Sequence, residues 1–549
     1  MDDTRESPAA PRLGRASLER RALFAGAAGL AAAGTMPGSA AAQGRGRTLV
    51  IASSATPQSM DVENALSIGS RNVMAGFYDN LTRYPLMNDP RQPAYQRENF
   101  GVAPEGQLAQ RWEWSADNRR ITFHLREGVR SGWGNPLTAE DVKYTFDRKF
   151  ALRGRDGFMT RALGLSDPDQ VRVEGPLAVS FSIERPNAIF LPVTTHIGNP
   201  IFDQKKAKEM AAGDDPWSRR WLDTNVAGFG PYNLRELTRG QQMVATARDD
   251  YWGGKPFMET VIFREVATSA ARLSLVQGGA ADIAQFLAPT DYIALANHRT
   301  VRVANLDATQ GIWIQMNTRM APFNNVAVRR AMNLAFPRDE VLRSVLQGFG
   351  APLKGVMPLF YPGATDQFWE YDTNIEAARR LLADAGFAGG FRTELSYNAG
   401  VPEQEPIAIM YQTALRALGI ELTLNRIPAA TYFRFMTDRS QPLMFHVDAP
   451  FTPDPSFALN LYFRSTSFIN HTSYTNPEVD ALIDESLQTM DWPRRQEIVT
   501  RAQQIVMRES PWVHIAFTGY QFAHQTGLSG LAYYSSNTIR FQDVRRGVS

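Results

Sequence analysis

Between Leu108 and Arg148 the chain switches from one hydrophobic period to another, and this restricts it to one kind of building block. Ile121, Phe123 and Leu125 alternate with Thr122, His124 and Arg126, the two-residue period of a half-buried strand. Ser115-Ala116-Asp117-Asn118 is the turn that feeds this strand, and Gly132, Gly134 and Pro136 break the chain after it. Thr138 stands three residues before Asp141, the spacing of a capping box, and Val142, Thr145 and Phe146 follow at helical spacing. The unit is therefore strand, turn, strand, Gly/Pro loop and capped helix, an α/β block that by itself is silent about function.

Similar alternation recurs along the chain. Thr48 to Ser53 is a short apolar strand of the buried type, and Val171-Val173 and Val179-Phe181-Ile183 alternate as strands. Pro337 can open a helix over Arg338 to Gln347, and Thr373 with Glu376 forms a second capping box for a helix that stops at Gly386. Ile407, Met410, Tyr411, Ala414, Leu415 and Leu418 make one helical stripe ending at Gly419, after which Ile420, Leu422 and Leu424 alternate. Asn476-Pro477 starts a further helix, and Pro493 lies near the start of the next. Helix-then-strand repetition of this kind predicts an α/β fold.

Several function classes are excluded or disfavoured. A net charge of +2 without Lys/Arg runs gives no field for nucleic acid. The absence of cysteine excludes disulfides, thiolate metal sites, a Cys nucleophile and lipid attachment through an N-terminal Cys. Arg20-Arg21, an apolar Ala/Gly-rich run ending near Gly34, and Ala40-Ala41-Ala42 have the layout of a twin-arginine signal over 1–42, with a mature chain beginning near Gln43. That run is too short and too weakly apolar to anchor the protein in a bilayer. There is no G-x-S-x-G, H-E-x-x-H, P-loop or EF-hand loop, and the seven histidines are scattered. His124 reads as a solvated strand residue, His514 as a satisfied core histidine and Tyr78 as core. Gly228 and Gly230 lack the third glycine, preceding strand and following helix of a phosphate-binding loop.

The order W-x-x-S-x-D-x-x-x-x-T-F-x-L-R-x-G-V from Trp112, followed by P-L-T-A-E-D-V from Pro136, resembles the signature of the family 5 extracellular solute-binding proteins, the dipeptide, oligopeptide and nickel receptors of ABC importers. Val226 to Leu234 (VAGFGPYNL), Trp313 to Phe323 and Val326 to Ala335 resemble further family segments, so the likeness runs over nearly the whole mature chain. The resemblance implies a two-lobed periplasmic binding protein of the type II, Venus-flytrap plan with an extra inserted domain, three domains in all. Domain I would combine 47–81, 224–305 and 515–549; domain II, the insertion, 82–223; domain III, the second lobe, 306–514. The implied function is capture of a small peptide or peptide-like solute between the lobes, without catalysis or cofactor. The protein would act in the periplasm as a monomer and deliver the solute to the permease and ATPase subunits of an ABC transporter. Alternatives are a receptor for an oligosaccharide, an opine or a nickel chelate, an exported hydrolase, and a periplasmic chaperone.

The segment Phe445 to Phe457 (FHVDAPFTPDPSF) is the candidate ligand loop. In peptide-binding members an Asp three residues before the acid of the D-P pair holds the ligand's α-amino group; that position is Phe451 here, and Asp448 lies three residues earlier. His446 is close by and keeps the nickel-chelate reading open. Trp133 occupies the loop position where the family usually has Asp, and could stack on a ligand or cap the smaller domain. Asn470 matches a family Asn-x-x-x-Tyr ending at Tyr474, with turn formation and ligand contact equally open, and the resemblance places Phe517 near the hinge.

Overall fold

A computed structural model of the chain describes residues 46–64, 68–152, 157–307, 310–450 and 452–547. The twin-arginine segment and Phe451 lie outside the described residues.

Two mixed sheets form the lobes. The first has seven strands in the spatial order Tyr232–Thr238, Gln242–Ala247, Thr260–Glu265, Thr48–Ser53, Ile283–Gln285, Tyr520–Gln525 and Val301–Leu306. The second has six, in the order Gly350–Pro352, Trp512–Thr518, Gly311–Met316, Leu443–Asp448, Arg392–Asn398 and Glu421–Ile427. A four-stranded antiparallel sheet, Ala109–Trp114, Arg120–Leu125, Ala178–Ser182 and Val171–Gly175, carries the opening sequence block. Ile121, Phe123 and Leu125 are buried, while Arg120 is exposed and Thr122 and His124 are half-buried, as the alternation requires. His124 bonds Glu113 across the strand pair at 2.8 Å instead of standing free in solvent.

The helix predicted after Thr138 spans Ala139–Leu152, and the Asp141 carboxylate accepts both the backbone N–H of Thr138 at 2.7 Å and its hydroxyl at 2.9 Å. The second capping box is displaced by one residue. Asn374, not Thr373, caps the helix Ile375–Asp384, accepting from Ala377 N–H at 2.9 Å, while the Thr373 hydroxyl donates to Phe336 O at 2.6 Å. The helix from Arg338 is shorter than the sequence suggests, ending at Ser344, because Gln347 and Gly348 turn into positive φ. Pro337 precedes its first helical residue.

Gly228 and Gly230 serve close packing. A Cβ on Gly230 would lie 2.3 Å from Phe77 C, and one on Gly228 2.3 Å from Phe77 O. The glycines let 228–232 run against 76–78, with Gly230 N–H bonding Phe77 O and Tyr232 N–H bonding Gly76 O, both at 2.9 Å. Two buried ion pairs, Arg148 with Asp61 and Lys149 with Glu63, fasten the helix Ala139–Leu152 to the first lobe.

The four-stranded subdomain also touches the second lobe. Phe158 meets Phe457 and Phe468 edge-on, Ala188 N–H bonds Leu487 O at 2.7 Å, and Phe100 stacks on Phe360. One buried apolar cluster runs through this contact. Among the described residues no helix is long and apolar enough to cross a membrane.

Candidate ligand-binding site

The site begins with strand register. Gly311 pairs with Asp448 on one side and with Phe517 on the other. Directly paired residues share a face of the sheet, so Asp448 and Phe517 project from the same face with a side-chain-free residue between them. A Cβ on Gly311 would lie 3.2 Å from the Phe517 ring, which leans across that gap. The strands Leu443–Asp448 and Trp512–Thr518 thus bring two of the sequence-predicted residues together at the hinge end of the second lobe.

Beside Phe517 lies a cavity of about 330 Å³ between the lobes. Its apolar wall is Phe349, Leu359, Phe360 and Phe517, and the crossing segments contribute Asn305, Thr518 and Gly519. Arg91, from the segment ahead of the four-stranded sheet, is ion-paired with Asp307 at its edge. An apolar pocket with a few fixed polar groups is the usual form of a small-solute site.

Asp448 supplies the charge. Burial pushes its carboxyl up to about 6, opposed by the Ala449 N–H bond at 2.8 Å, by the cation of Arg71 and by the Tyr462 hydroxyl. Arg71 belongs to the helix Ile68–Met74 of the first lobe, so its charge reaches Asp448 from the other side of the cleft. Tyr361 anchors the loop after Asp448 through a bond from its hydroxyl to Pro450 O.

His446 is buried, with Nε2 3.7 Å from the Asp448 carboxylate and its ring 4.7 Å from that of Trp313. Burial, then the neighbouring His471, hold its imidazole well below the ordinary range. Among the described residues no group of three or more His, Asp or Glu side chains could hold a metal ion.

The other sequence candidates lie elsewhere or are committed. Asn470 is buried and spends its amide within its own turn: it donates to Arg464 O and Tyr474 O at 3.1 and 2.8 Å and accepts from the Thr472 hydroxyl at 2.7 Å. That is the turn reading, and it leaves the amide occupied. Trp133 donates from Nε1 to Val226 O at 2.8 Å, packs near Trp221 and lies under Lys206. The cavity beside it is lined only by segments of the first lobe and its insertion, with no contribution from the strands around Gly311. His514 is a core residue whose Nδ1 meets Asn333 at 3.0 Å, and burial holds it down to about 3. Arg71, Arg91, Asp307 and Tyr361 escaped the sequence reading; each is an isolated polar residue whose place depends on segments far apart in the chain.

The chain matches the family model described as bacterial extracellular solute-binding proteins, family 5 Middle, over residues 103–470. It is 27% identical over 495 residues to a probable D,D-dipeptide-binding periplasmic protein of Escherichia coli (strain K12), covering 88% of this chain and 91% of that one. Its fold is similar to that of HbpA2 from Haemophilus parasuis, with a TM-score of 0.79 at 22% identity over 91% of this chain and all of the other. It also resembles the ABC transporter-associated periplasmic binding protein DppA from Helicobacter pylori in complex with the peptide STSA, with a TM-score of 0.77 at 21% identity, covering 92% of this chain and 99% of that one. Two α/β lobes around a cleft, the opening sequence block and a match across most of the chain agree: this protein belongs to the family 5 bacterial extracellular solute-binding proteins.

Proposed function

We propose that this chain is the periplasmic receptor of an ABC importer for a small peptide or peptide-like solute bearing a free amine. The observation that carries the reading is Asp448, an acid on the cleft face of the hinge strands, one residue across from Phe517 and its cavity. Its carboxylate takes the amine in a charge-assisted bond, in place of the family acid whose position is Phe451. Closure of the lobes removes water from these groups and is favoured by the solute's greater affinity for the closed form.

No catalytic step is assigned to the chain, and a peptide bound by the purified protein should be recovered intact after long incubation. The seven-stranded and six-stranded sheets support a division into a discontinuous first lobe and a second lobe, with the strand Trp512–Thr518 belonging to the latter. The paired arginines at 20–21 support export by the twin-arginine route, the lack of cysteine speaks against a Cys-linked lipid, and monomeric action with a permease and ATPase follows from the family reading. Calorimetric titration of solute-free protein with dipeptides and with their N-acetylated forms tests the proposal. Binding that is lost on acetylation is expected; equal binding of both forms overturns it. Native mass spectrometry of the protein taken from its own periplasm identifies the solute.

A further inference from the structure

Behind Asp448 the second lobe buries a run of rings that reaches from its core toward the surface. Trp512 stacks on Trp313 at 4.2 Å, Trp313 packs on His446 at 4.7 Å, His446 on His471 at 5.5 Å, and His471 meets the half-exposed Phe433 edge-on at 6.3 Å. His471 is 5% exposed, yet neither of its ring nitrogens has a hydrogen-bond partner among the described residues. Trp313 Nε1, on a ring packed against His446, is likewise buried without one. Buried polar atoms left unpaired cost about 1–3 kcal/mol each, so their concentration beside a ligand-binding acid needs a reason.

We propose that His471 reads the substituent carried next to the solute's amine, and selects a neutral hydrogen-bonding group such as a carboxamide or hydroxyl. The inference rests on the receptor reading above, with the amine on Asp448. His446 Nε2 lies 3.7 Å from the Asp448 carboxylate, and the His471 ring lies 5.5 Å from the His446 ring. The imidazole is neutral, since burial and then the cation of Arg439 hold it down to about 4. It therefore offers one donor and one acceptor, the complement of a carboxamide. A cation there is opposed by Arg439, and any full charge is penalised by burial. An apolar side chain fits the rings but leaves both nitrogens unpaired, the situation in which polar sites reject apolar isosteres.

The test is calorimetric titration of the full mature chain, stripped of solute, with Asn-Ala and Leu-Ala, whose first side chains are nearly isosteric. The wild type is expected to bind Asn-Ala about tenfold more tightly, the loss that an unpaired buried polar group produces. His471→Leu should abolish or reverse the preference, and His471→Asn, which keeps a donor and an acceptor, should retain it. Equal binding of the two peptides by the wild type overturns the inference and leaves the receptor reading standing. So does a His471→Leu variant that weakens both peptides equally, which marks a structural role. Failure to bind any dipeptide overturns both.

Discussion

Arg148 donates from its two terminal nitrogens to the two oxygens of Asp61, at 2.9 and 2.7 Å, and neither side chain reaches solvent. The pair joins the capped helix of the opening sequence block to the segment that follows the strand Thr48–Ser53 of the seven-stranded sheet. Removing either partner leaves a charge stranded in the interior, so Arg148→Ala or Asp61→Ala should cost about 3–5 kcal/mol. Urea unfolding of each variant measures this. A loss below about 1 kcal/mol, the range of exposed pairs, would show the pair to be dispensable.

Solute binding should depend on pH through Asp448. Burial pushes its carboxyl up to about 6, so the anion that attracts an amine is present above that value and lost below it. A cationic ligand favours the ionised form. Affinity should therefore be full near neutrality and fall by up to about tenfold per pH unit once the pH drops below 6. Asp448→Asn should bind weakly with a flat profile over the same range. Titrations across this window decide the matter: a flat wild-type profile places the amine elsewhere.

At Gly230 the prediction is steric. A methyl group there would sit 2.3 Å from Phe77 C and 2.6 Å from Tyr78 N, backbone atoms that cannot turn aside. Gly230→Ala should destabilise the protein by about 3 kcal/mol, the upper end of overpacking costs. Thermal unfolding reads the effect, and an unchanged midpoint would mean that the crossing is looser than the geometry states.

Phe158 tests closure. Its edge-on contacts with Phe457 and Phe468 join the inserted subdomain to the second lobe. Each such aromatic pair contributes about 0.5–1.5 kcal/mol, so Phe158→Ala should shift the solute-free protein toward the open form and weaken solute binding several-fold. Small-angle scattering should show a larger radius of gyration for the variant without solute and equal radii when both are saturated. Identical scattering without solute would rule out a part for this contact in closure.

Much of the fold was legible because it rests on local periodicity. The alternation at Ile121, Phe123 and Leu125, the stripe ending at Gly419 and the Asn476 cap are decided by neighbours in sequence. Errors fell at helix ends, where Asn374 and Thr373 compete for one capping role and the tertiary bond from Thr373 to Phe336 O settles it. The site was only half legible. Asp448 and Phe517 could be chosen from the resemblance, but their adjacency depends on Gly311 standing between them, a pairing across three strands far apart in sequence. Asn470 fits a ligand-contact motif and a turn equally well until its four bonds are seen. Arg71 carries no local signal, since an arginine on a short helix looks the same whether it faces a cleft or solvent.

Gly519 alone separates the strand Trp512–Thr518 of one sheet from the strand Tyr520–Gln525 of the other. The latter lies between Ile283–Gln285 and Val301–Leu306, so without it Val301–Leu306 has no neighbour in its sheet. A nascent chain still lacking its C-terminal segment can close neither body, however much of the rest has left the ribosome. Such long-range pairing is slow and leaves unpaired edges exposed meanwhile. A chain ending shortly before Trp512 is therefore expected to aggregate instead of folding as a working single lobe.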